Sequence, residues 1–243
     1  MAHREYVRHR DGDRVVLFIH GFLGSPEHFE RFIELVPEDY GIYNVLLRGH
    51  GGTVRDFSKA SMKQWKEQIE DIISELRARY KEIVIVAHSM GTLFAYDLAT
   101  RYPQVIKSLF MLGTPLKIAV KGTAFINSFK SLFGLISEDD ETGKAYDKAH
   151  SVKLNLKIWE YSGWIPRYLE LFAESKRGRM IINNVGTPCY IFQSAKDELV
   201  SRKSEQFIPK KENISLTVLE KSAHFIYDRE DIKLLTERFK EII

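Results

Sequence analysis

The stretch IVIVAHSMGTLFAYDLA, residues 83–99, decides the fold. Its first five residues are apolar, which is typical of a buried strand, and a helical pattern begins directly after Ser89. Ala87 and Gly91 stand two positions before and two positions after the serine, and their small size permits a sharp strand-to-helix turn that exposes the hydroxyl. The stretch therefore predicts a nucleophile at Ser89; the alternative is an ordinary serine cap at a helix start.

Apolar runs on both sides of this stretch predict five further buried strands. They are VVLFI (15–19), YNVLL (43–47), SLFML (108–112), CYIFQ (189–193) and SLTVL (215–219). The runs are apolar throughout, which is typical of parallel strands covered on both faces. Helical patterns lie between or after them, at residues 26–36, 61–80, 90–101 and 229–243. This alternation predicts an α/β fold with a mostly parallel sheet flanked by helices.

The alternation stops between Thr114 and Gly186, where no convincing strand is found. This region holds an amphipathic stretch, TAFINSFKSLFGLI (123–136), and an aromatic-rich part from Trp159 to Phe172. We expect residues 114–186 to form a helical cap inserted in a core made of residues 1–113 and 187–243. The alternative for the apolar face of residues 123–136 is that it only packs into the core.

A serine hydroxyl needs a base to become a nucleophile, and the base needs a partner that fixes its ring and tautomer. The predicted strand 189–193 leads into SAKDELV, which places Asp197 just past the carboxyl end of that strand. The predicted strand 215–219 leads into EKSAHF, which places His224 in the same way. Ser89, Asp197 and His224 are therefore the expected catalytic residues.

Each of these candidates has rivals. Glu198 adjoins Asp197, but neighbours in an extended loop point apart, so we expect only one of them to reach the histidine. Asp228 is better placed to cap the last helix, and His88 should diverge from Ser89 at a sharp turn. Four other histidines lie away from the predicted strand ends and are expected to be solvated; they are His3, His9, His28 and His150.

A developing oxyanion needs main-chain donors. Met90 follows the nucleophile at a helix start, where the helix dipole also favours negative charge. The loop after the first long strand, within VVLFIHGFLGS (15–25), offers the second donor at Phe22, because Gly21 lets the backbone turn inward. His20 is expected to brace this loop. The alternative is a glycine-rich loop that merely turns.

Composition excludes several other classes of protein. The 243 residues are 44% hydrophobic and 28% charged, and 36 Lys and Arg against 33 Asp and Glu leave a formal charge of only +3. That surplus is too slight to indicate a nucleic-acid partner. A single cysteine, Cys189, cannot form an internal disulfide. No phosphate-binding P-loop or dinucleotide motif is present, and we expect neither a cofactor nor a metal.

The hydropathy pattern also bears on location. Residues 1–14 carry charges throughout, unlike a signal peptide. The longest apolar runs are far shorter than the roughly 20 residues that span a bilayer. We therefore expect a cytoplasmic protein without stable membrane insertion; the sequence leaves its oligomeric state open.

The motifs HGFLGSPEHF (20–29), LLRGHGGT (46–53) and AHSMG (87–91), with the loops of Asp197 and His224, resemble the α/β-hydrolase superfamily. The order Ser, Asp, His along the chain is also that of the superfamily. The resemblance is strongest to microbial carboxylesterases and monoacylglycerol-lipase-like enzymes. In such enzymes the segment like residues 114–186 caps the acyl pocket, and the loop like residues 48–52 lies near the site entrance.

Two departures from the family pattern stand out. Ala87 replaces the first glycine of the usual elbow, but alanine is still small enough for the turn. Only fourteen residues precede the first clear strand, so the family's opening antiparallel strands are expected to be shortened or partly missing.

Resemblance and residues together imply acyl transfer through a covalent acyl-enzyme. Serine as the nucleophile argues against the haloalkane dehalogenase and epoxide hydrolase branches, which use aspartate. The aromatic cap predicts a pocket for apolar groups, so short- to medium-chain carboxylic esters are the expected small-molecule substrates. Alternatives are hydrolysis of a thioester, lactone, amide or carbon–carbon bond, or a non-catalytic relative that binds an apolar ligand.

Overall fold

The computed structural model describes residues 3–119 and 150–243, so the predicted amphipathic stretch 123–136 lies outside the described residues. The strands are β1 (Tyr6–Arg8), β2 (Arg14–Ile19), β3 (Gly41–Asn44), β4 (Glu82–His88), β5 (Ile106–Leu112), β6 (Cys189–Ser194) and β7 (Ile214–Leu219). The described α-helices, numbered in chain order, are α1 (Glu30–Ile33), α2 (Val54–Lys59), α3 (Met62–Arg79), α4 (Met90–Arg101), α5 (Trp164–Ile181) and α6 (Arg229–Ile242). Short 3₁₀ helices cover Pro26–Phe29, Ile158–Gly163, Ile182–Asn184 and Arg202–Phe207.

The strands of the described residues form one seven-stranded sheet in the order β1-β3-β2-β4-β5-β6-β7. Only β1 is antiparallel to its neighbour, and β2 to β7 are parallel. The prediction of a mostly parallel sheet flanked by helices is confirmed. In the described residues a three-residue antiparallel strand, β1, precedes β2.

Apolar side chains on both faces of the sheet explain why the strand sequences do not alternate. In β2, Leu17 belongs to the buried cluster that contains Trp65 of α3, whereas Phe18 belongs to the cluster that contains Phe239 of α6. Successive side chains of a strand point to opposite faces, so both must be apolar when helices cover both faces. This double cover fixes the central strands and therefore the loops at their carboxyl ends.

The structure differs from the prediction at strand 43–47. The strand β3 ends at Asn44, and Leu47 is buried in the loop that follows. The main-chain N–H of Leu47 donates to Nε2 of His20 at 3.1 Å instead of to a strand neighbour. The chain therefore leaves the sheet after Asn44 and bonds to a side-chain acceptor. A hydropathy pattern holds no information on such a hydrogen bond.

Helix α2 was not predicted, although its N-terminal signal is present in the sequence. The Thr53 side chain accepts from the Asp56 N–H, and the Asp56 carboxylate accepts from the Thr53 N–H, which makes a capping box. The helix has six residues, so the capping box and packing, rather than a long apolar stripe, account for it.

Helix α5 lies in the segment that was predicted to be a cap, and hydrogen bonds tie it to α2 and to the loop that follows β5. The indole of Trp164 donates to the Val54 carbonyl at 3.2 Å, and the Ser175 hydroxyl donates to the Pro115 carbonyl at 2.6 Å. The opposite face of the helix leaves large apolar side chains exposed, namely Ile165, Leu169 and Phe172. That residues 114–186 form a cap over a binding pocket remains a prediction.

The strand β2 and the start of α4 approach each other closely at Gly91. A Cβ at this position would clash with the Ile19 carbonyl oxygen and would lie 2.9 Å from the His20 carbonyl oxygen. Both are backbone atoms of the neighbouring strand end, and they cannot swing away as a flexible side chain would. Only glycine therefore lets α4 start this close to the sheet.

We expect Gly91→Ala to lower the free energy of unfolding by about 2 kcal/mol or more, because the added methyl group forces the backbone apart. Gly186→Ala is the matched control, since a Cβ at residue 186 would have no atom within 4 Å. The measurement is urea unfolding of the two variants and the wild type. Equal unfolding midpoints for all three would contradict the close approach described here.

Candidate active site

Ser89 lies at the junction of β4 and α4 with a left-handed backbone, φ 50° and ψ −121°. Among the described residues other than glycine, only Leu23 shares a positive φ. Such a conformation costs about 1–3 kcal/mol and persists only where the surroundings enforce it. Here the Ser89 N–H donates to the Leu112 carbonyl at 2.8 Å, and the Ser89 carbonyl accepts from the Thr92 hydroxyl at 2.7 Å. The turn leaves the Ser89 side chain half-buried and not sealed in the core.

The loop after β2 lies directly against this serine. A Cβ on Gly21 would be 2.8 Å from the Cβ of Ser89, so a larger residue would push the loop away. The Gly21 carbonyl accepts two hydrogen bonds, from the Gly24 N–H at 3.0 Å and from Nδ1 of His20 at 2.9 Å. In a trans peptide the C=O and the following N–H point in opposite directions. The Phe22 N–H is therefore directed away from His20 and Gly24.

His20 braces this loop, as expected. Its Nδ1 donates to the Gly21 carbonyl, and its Nε2 accepts from the Leu47 N–H, so both nitrogens are used and the neutral tautomer is fixed. Burial lowers the pKa of His20 to about 4, despite the hydrogen bond to Gly21. The ring is therefore a neutral structural group at ordinary pH.

Asp197 and His224 are brought together in the interior. Oδ2 of Asp197 lies 2.7 Å from Nδ1 of His224, and the two residues are only 3% and 2% exposed. The other carboxylate oxygen, Oδ1, accepts from the N–H groups of Leu199 at 2.8 Å and Val200 at 2.7 Å. The N–H groups of Leu199 and Val200 hold the carboxylate of Asp197 in place, and that carboxylate orients the imidazole of His224.

The end of β5 connects this pair with the serine. A Cβ on Gly113 would lie 3.5 Å from Cε1 of His224 and 3.8 Å from Oδ2 of Asp197. The preceding residue, Leu112, is the one whose carbonyl accepts from the Ser89 N–H. Ser89 therefore borders Leu112, and Asp197 and His224 border the next residue, Gly113, at the carboxyl edge of the sheet.

The charge environment of His224 differs from that of the other buried histidines. Burial alone favours its neutral ring, but the negative charge and hydrogen bond of Asp197, with a further contribution from Glu198, outweigh burial. The net effect raises the pKa of His224 above its ordinary value. Such an imidazole accepts a proton more readily than its burial alone would allow.

Two expectations about the neighbouring residues are wrong. Glu198 does reach the histidine, because its Oε2 accepts from the main-chain N–H of His224 at 3.1 Å while Asp197 holds the ring. The side chain of His88 does not diverge from the site, since its Nε2 donates to the His224 carbonyl at 3.1 Å. Asp228 caps α6 as expected, accepting from the Glu230 N–H at 3.0 Å.

His28 is also not the solvated residue that was expected. Its ring lies 4.0 Å from the His88 ring, centroid to centroid, and its Nε2 lies 3.4 Å from the Tyr227 hydroxyl. Burial lowers the pKa of His28 to about 3, with a smaller contribution from the charge of His224. No local pattern indicates this contact, because His28 and His88 are 60 positions apart in the chain.

The sequence alone led to no prediction for His50. This residue is buried beside His20, and the centroids of the two rings are 4.7 Å apart. Burial lowers its pKa well below the ordinary value. Its position in LLRGHGGT (46–53), one of the motifs that carry the family resemblance, could have indicated that it lies near the site.

Within residues 3–119 and 150–243, no three His, Cys, Asp or Glu residues are grouped so that they could hold a metal ion. None of the helices described in those ranges is both long and apolar enough to cross a bilayer.

Comparison with known proteins adds relatives by sequence. A family model described as "Alpha/beta hydrolase family" matches residues 16–233. The probable lysophospholipase BODYGUARD 1 of Arabidopsis thaliana is 36% identical over 114 residues, which are 44% of this chain and 24% of the plant protein. The thermostable monoacylglycerol lipase of Bacillus sp. (strain H-257) is 28% identical over 91 residues, 37% of this chain and 36% of the lipase. Each match spans well under half of the relative's length.

Solved structures match over nearly the whole chain. A structure described with LipS and LipT, two metagenome-derived lipolytic enzymes, has a TM-score of 0.76 at 19% identity and covers 99% of this chain and 97% of that chain. The monoacylglycerol lipase of Paleococcus ferrophilus has a TM-score of 0.69 at 15% identity, with 100% of both chains covered. At such low identity the structural similarity shows a shared fold and no more. Together with the family match, it confirms the predicted α/β-hydrolase fold.

Two histidines that stay neutral in the folded chain, His20 and His28, predict that acid lowers the stability of the protein. In the unfolded chain a histidine binds a proton near pH 6.5, whereas folded His20 and His28 do so only near pH 4 and 3. Each should lower the free energy of unfolding by up to about 1.4 kcal/mol per pH unit as the pH falls below ~6. The raised pKa of His224 acts oppositely: its contribution is present at low pH and is lost as the pH rises through the raised value.

The measurement is urea unfolding of the wild type and His28→Phe at several pH values between 6 and 4. The variant keeps an aromatic ring beside His88 but has no group to protonate, so its stability should fall less steeply, by a slope of about one proton. Equal slopes in the two proteins would contradict the assignment of His28 as a half-buried group that stays neutral in the folded protein.

Proposed function

We propose that this chain, which belongs to the alpha/beta hydrolase family, is a serine hydrolase that cleaves carboxylic esters of short- to medium-chain acyl groups. The observation that carries the proposal is the buried pair of Asp197 and His224, 2.7 Å apart, beside a serine on a strained strand-to-helix turn. A nucleophile, a base and a group that orients the base are the three components that acyl transfer requires.

In the proposed reaction the Ser89 oxygen attacks the ester carbonyl carbon while Nε2 of His224 accepts the hydroxyl proton. Asp197 accepts the Nδ1–H and stabilises the imidazolium that forms. Collapse of the tetrahedral intermediate breaks the bond to the alkoxy group, which leaves as an alcohol with the proton from His224. Water then attacks the acyl-enzyme by the same route and releases the acid.

The proposed oxyanion donors are the main-chain N–H groups of Phe22 and Met90. The two hydrogen bonds to the Gly21 carbonyl hold the Gly21–Phe22 peptide in one orientation beside Ser89. Met90 is the first residue of α4, and the N–H groups of a helix's first turn have no partner within the helix. Donors that are fixed before the reaction stabilise developing charge without a cost of reorganisation.

Aromatic side chains around the loop support an apolar acyl group. The Phe22 ring packs edge-on against Phe57 at 5.1 Å and against Trp65 at 6.0 Å between ring centroids. On its other side it meets Tyr168 of α5 at 4.9 Å. The loop with the proposed donor is therefore enclosed by rings, which favour hydrocarbon over charged substrates. Monoacylglycerol-like esters are within this class.

We expect the protein to react with a fluorophosphonate probe and to hydrolyse p-nitrophenyl esters within the range from acetate to decanoate. Ser89→Ala should abolish both activities, because it removes the nucleophile. Ser108→Ala is the matched control: this buried β5 serine has a hydroxyl without a hydrogen-bond partner, so its removal should cost no activity. A wild-type protein that neither reacts with the probe nor hydrolyses any ester of the series would refute the proposal.

The roles of the pair are tested by His224→Ala and Asp197→Asn. We expect kcat to fall by roughly 10⁴-fold in each, because the first variant has no base and the second holds the wrong tautomer of the base. Turnover is measured on the best p-nitrophenyl ester of the series. Near-normal turnover in Asp197→Asn would transfer the acidic role to Glu198 or Asp228.

A further inference from the structure

The main chain of His224 is held on both sides by side chains. Its N–H donates to Oε2 of Glu198 at 3.1 Å, and its carbonyl accepts from Nε2 of His88 at 3.1 Å. Glu198 is 8% exposed and His88 is 1% exposed, so neither hydrogen bond competes freely with water. A residue with both peptide groups fixed in this way has little freedom in its φ and ψ, which set the direction of its side chain.

Each of these two contacts comes from a sequence neighbour of another residue of the proposed triad. His88 directly precedes Ser89, and Glu198 directly follows Asp197. The backbone of the histidine is therefore tied to the elbow that carries the serine and to the loop that carries the aspartate. The three parts of the site form one hydrogen-bonded frame.

The chemistry of His88 suits it to donate. Burial lowers its pKa well below the ordinary value, so the ring is neutral and carries one N–H. A carbonyl can only accept, so the proton must be on Nε2. His28 packs on the same ring at 4.0 Å, and His224 itself lies 4.6 Å away, centroid to centroid. The imidazole is thus fixed in the orientation that reaches the His224 carbonyl.

Glu198 contributes in a second way, through its charge. Its carboxylate adds to that of Asp197 in favouring the protonated form of the His224 imidazole. The titratable groups that face this imidazole from the surrounding elements are Asp197, Glu198, His88 and His28. The two histidines are neutral, so the two carboxylates set the charge balance of the ring.

We propose that His88 and Glu198 are positioning residues that orient the imidazole of His224 between Asp197 and Ser89. This inference rests on the proposed function, because it gives that imidazole the role of base. The two residues act through the main chain of His224 and need not touch the substrate.

The His88 contact is tested by two substitutions that separate the donor from the ring. His88→Phe keeps an aromatic ring against His28 but removes the N–H, and we expect kcat to fall about 10- to 100-fold with little change in KM. His88→Gln restores an N–H donor and should recover most of that loss. Ser108→Ala is the control, because this β5 serine has no hydrogen bond to His224, and its kcat should stay close to wild type.

The Glu198 contact is tested by Glu198→Gln, which keeps an oxygen acceptor for the His224 N–H but removes the charge. The acid limb of the pH profile of kcat/KM reports the protonation of the base. Because the carboxylate favours the protonated ring, its removal should move this limb to lower pH. A residue with only a structural role would lower activity without moving the limb.

A readout independent of catalysis completes the test. NMR titration of the His224 imidazole should show a lower pKa in Glu198→Gln than in the wild type, and amide hydrogen exchange of His224 should be faster in His88→Phe. If titration, exchange and kcat are all unchanged in both variants, the positioning roles are refuted. Failure of the proposed function would look different: the wild type would not react with the probe, whatever the titration shows.

Discussion

The left-handed backbone of Ser89 is the constraint on which the rest of the site depends. It ends β4 and starts α4 within one residue, and this is possible only because Gly91 lets the helix begin against the end of β2. The same tight junction brings Gly21 against Ser89 and makes Leu112 the acceptor for the serine N–H. A few kcal/mol of local strain are thus balanced by the packing of a sheet that is covered on both faces.

The net pKa shift of the histidines in and around the site differs in sign, although desolvation lowers the pKa of each. His20, His28, His50 and His88 are held neutral, because desolvation penalises a charged ring and no nearby carboxylate outweighs that penalty. At His224 two neighbouring carboxylates reverse the balance. These four histidines therefore serve as uncharged hydrogen-bonding and packing groups. The protein reserves one other, His224, for proton transfer in the proposed reaction.

The sequence predicted the features that depend on local pattern. Apolar runs located the parallel strands, and Ser89, Asp197 and His224 were proposed as catalytic residues because each follows such a run. The contacts of Glu198 and His88 were missed because they depend on loop conformation. The loop after β6 is not extended: the Asp197 N–H donates to the Ser194 carbonyl at 3.3 Å, and this turn lets consecutive carboxylates meet the ring and the main chain of one histidine. Hydropathy holds no information on such a turn.

The position of β7 at one edge of the sheet has a consequence for durability. This strand is paired only with β6 among the described strands, and it carries the loop with His224. Fraying of an edge requires far less free energy than disruption of the interior of a sheet. Detachment of β7 would separate the histidine from the serine while β2, β4 and β5 stay paired. We therefore expect heat inactivation to begin with the opening of this edge strand, at a lower temperature than global unfolding.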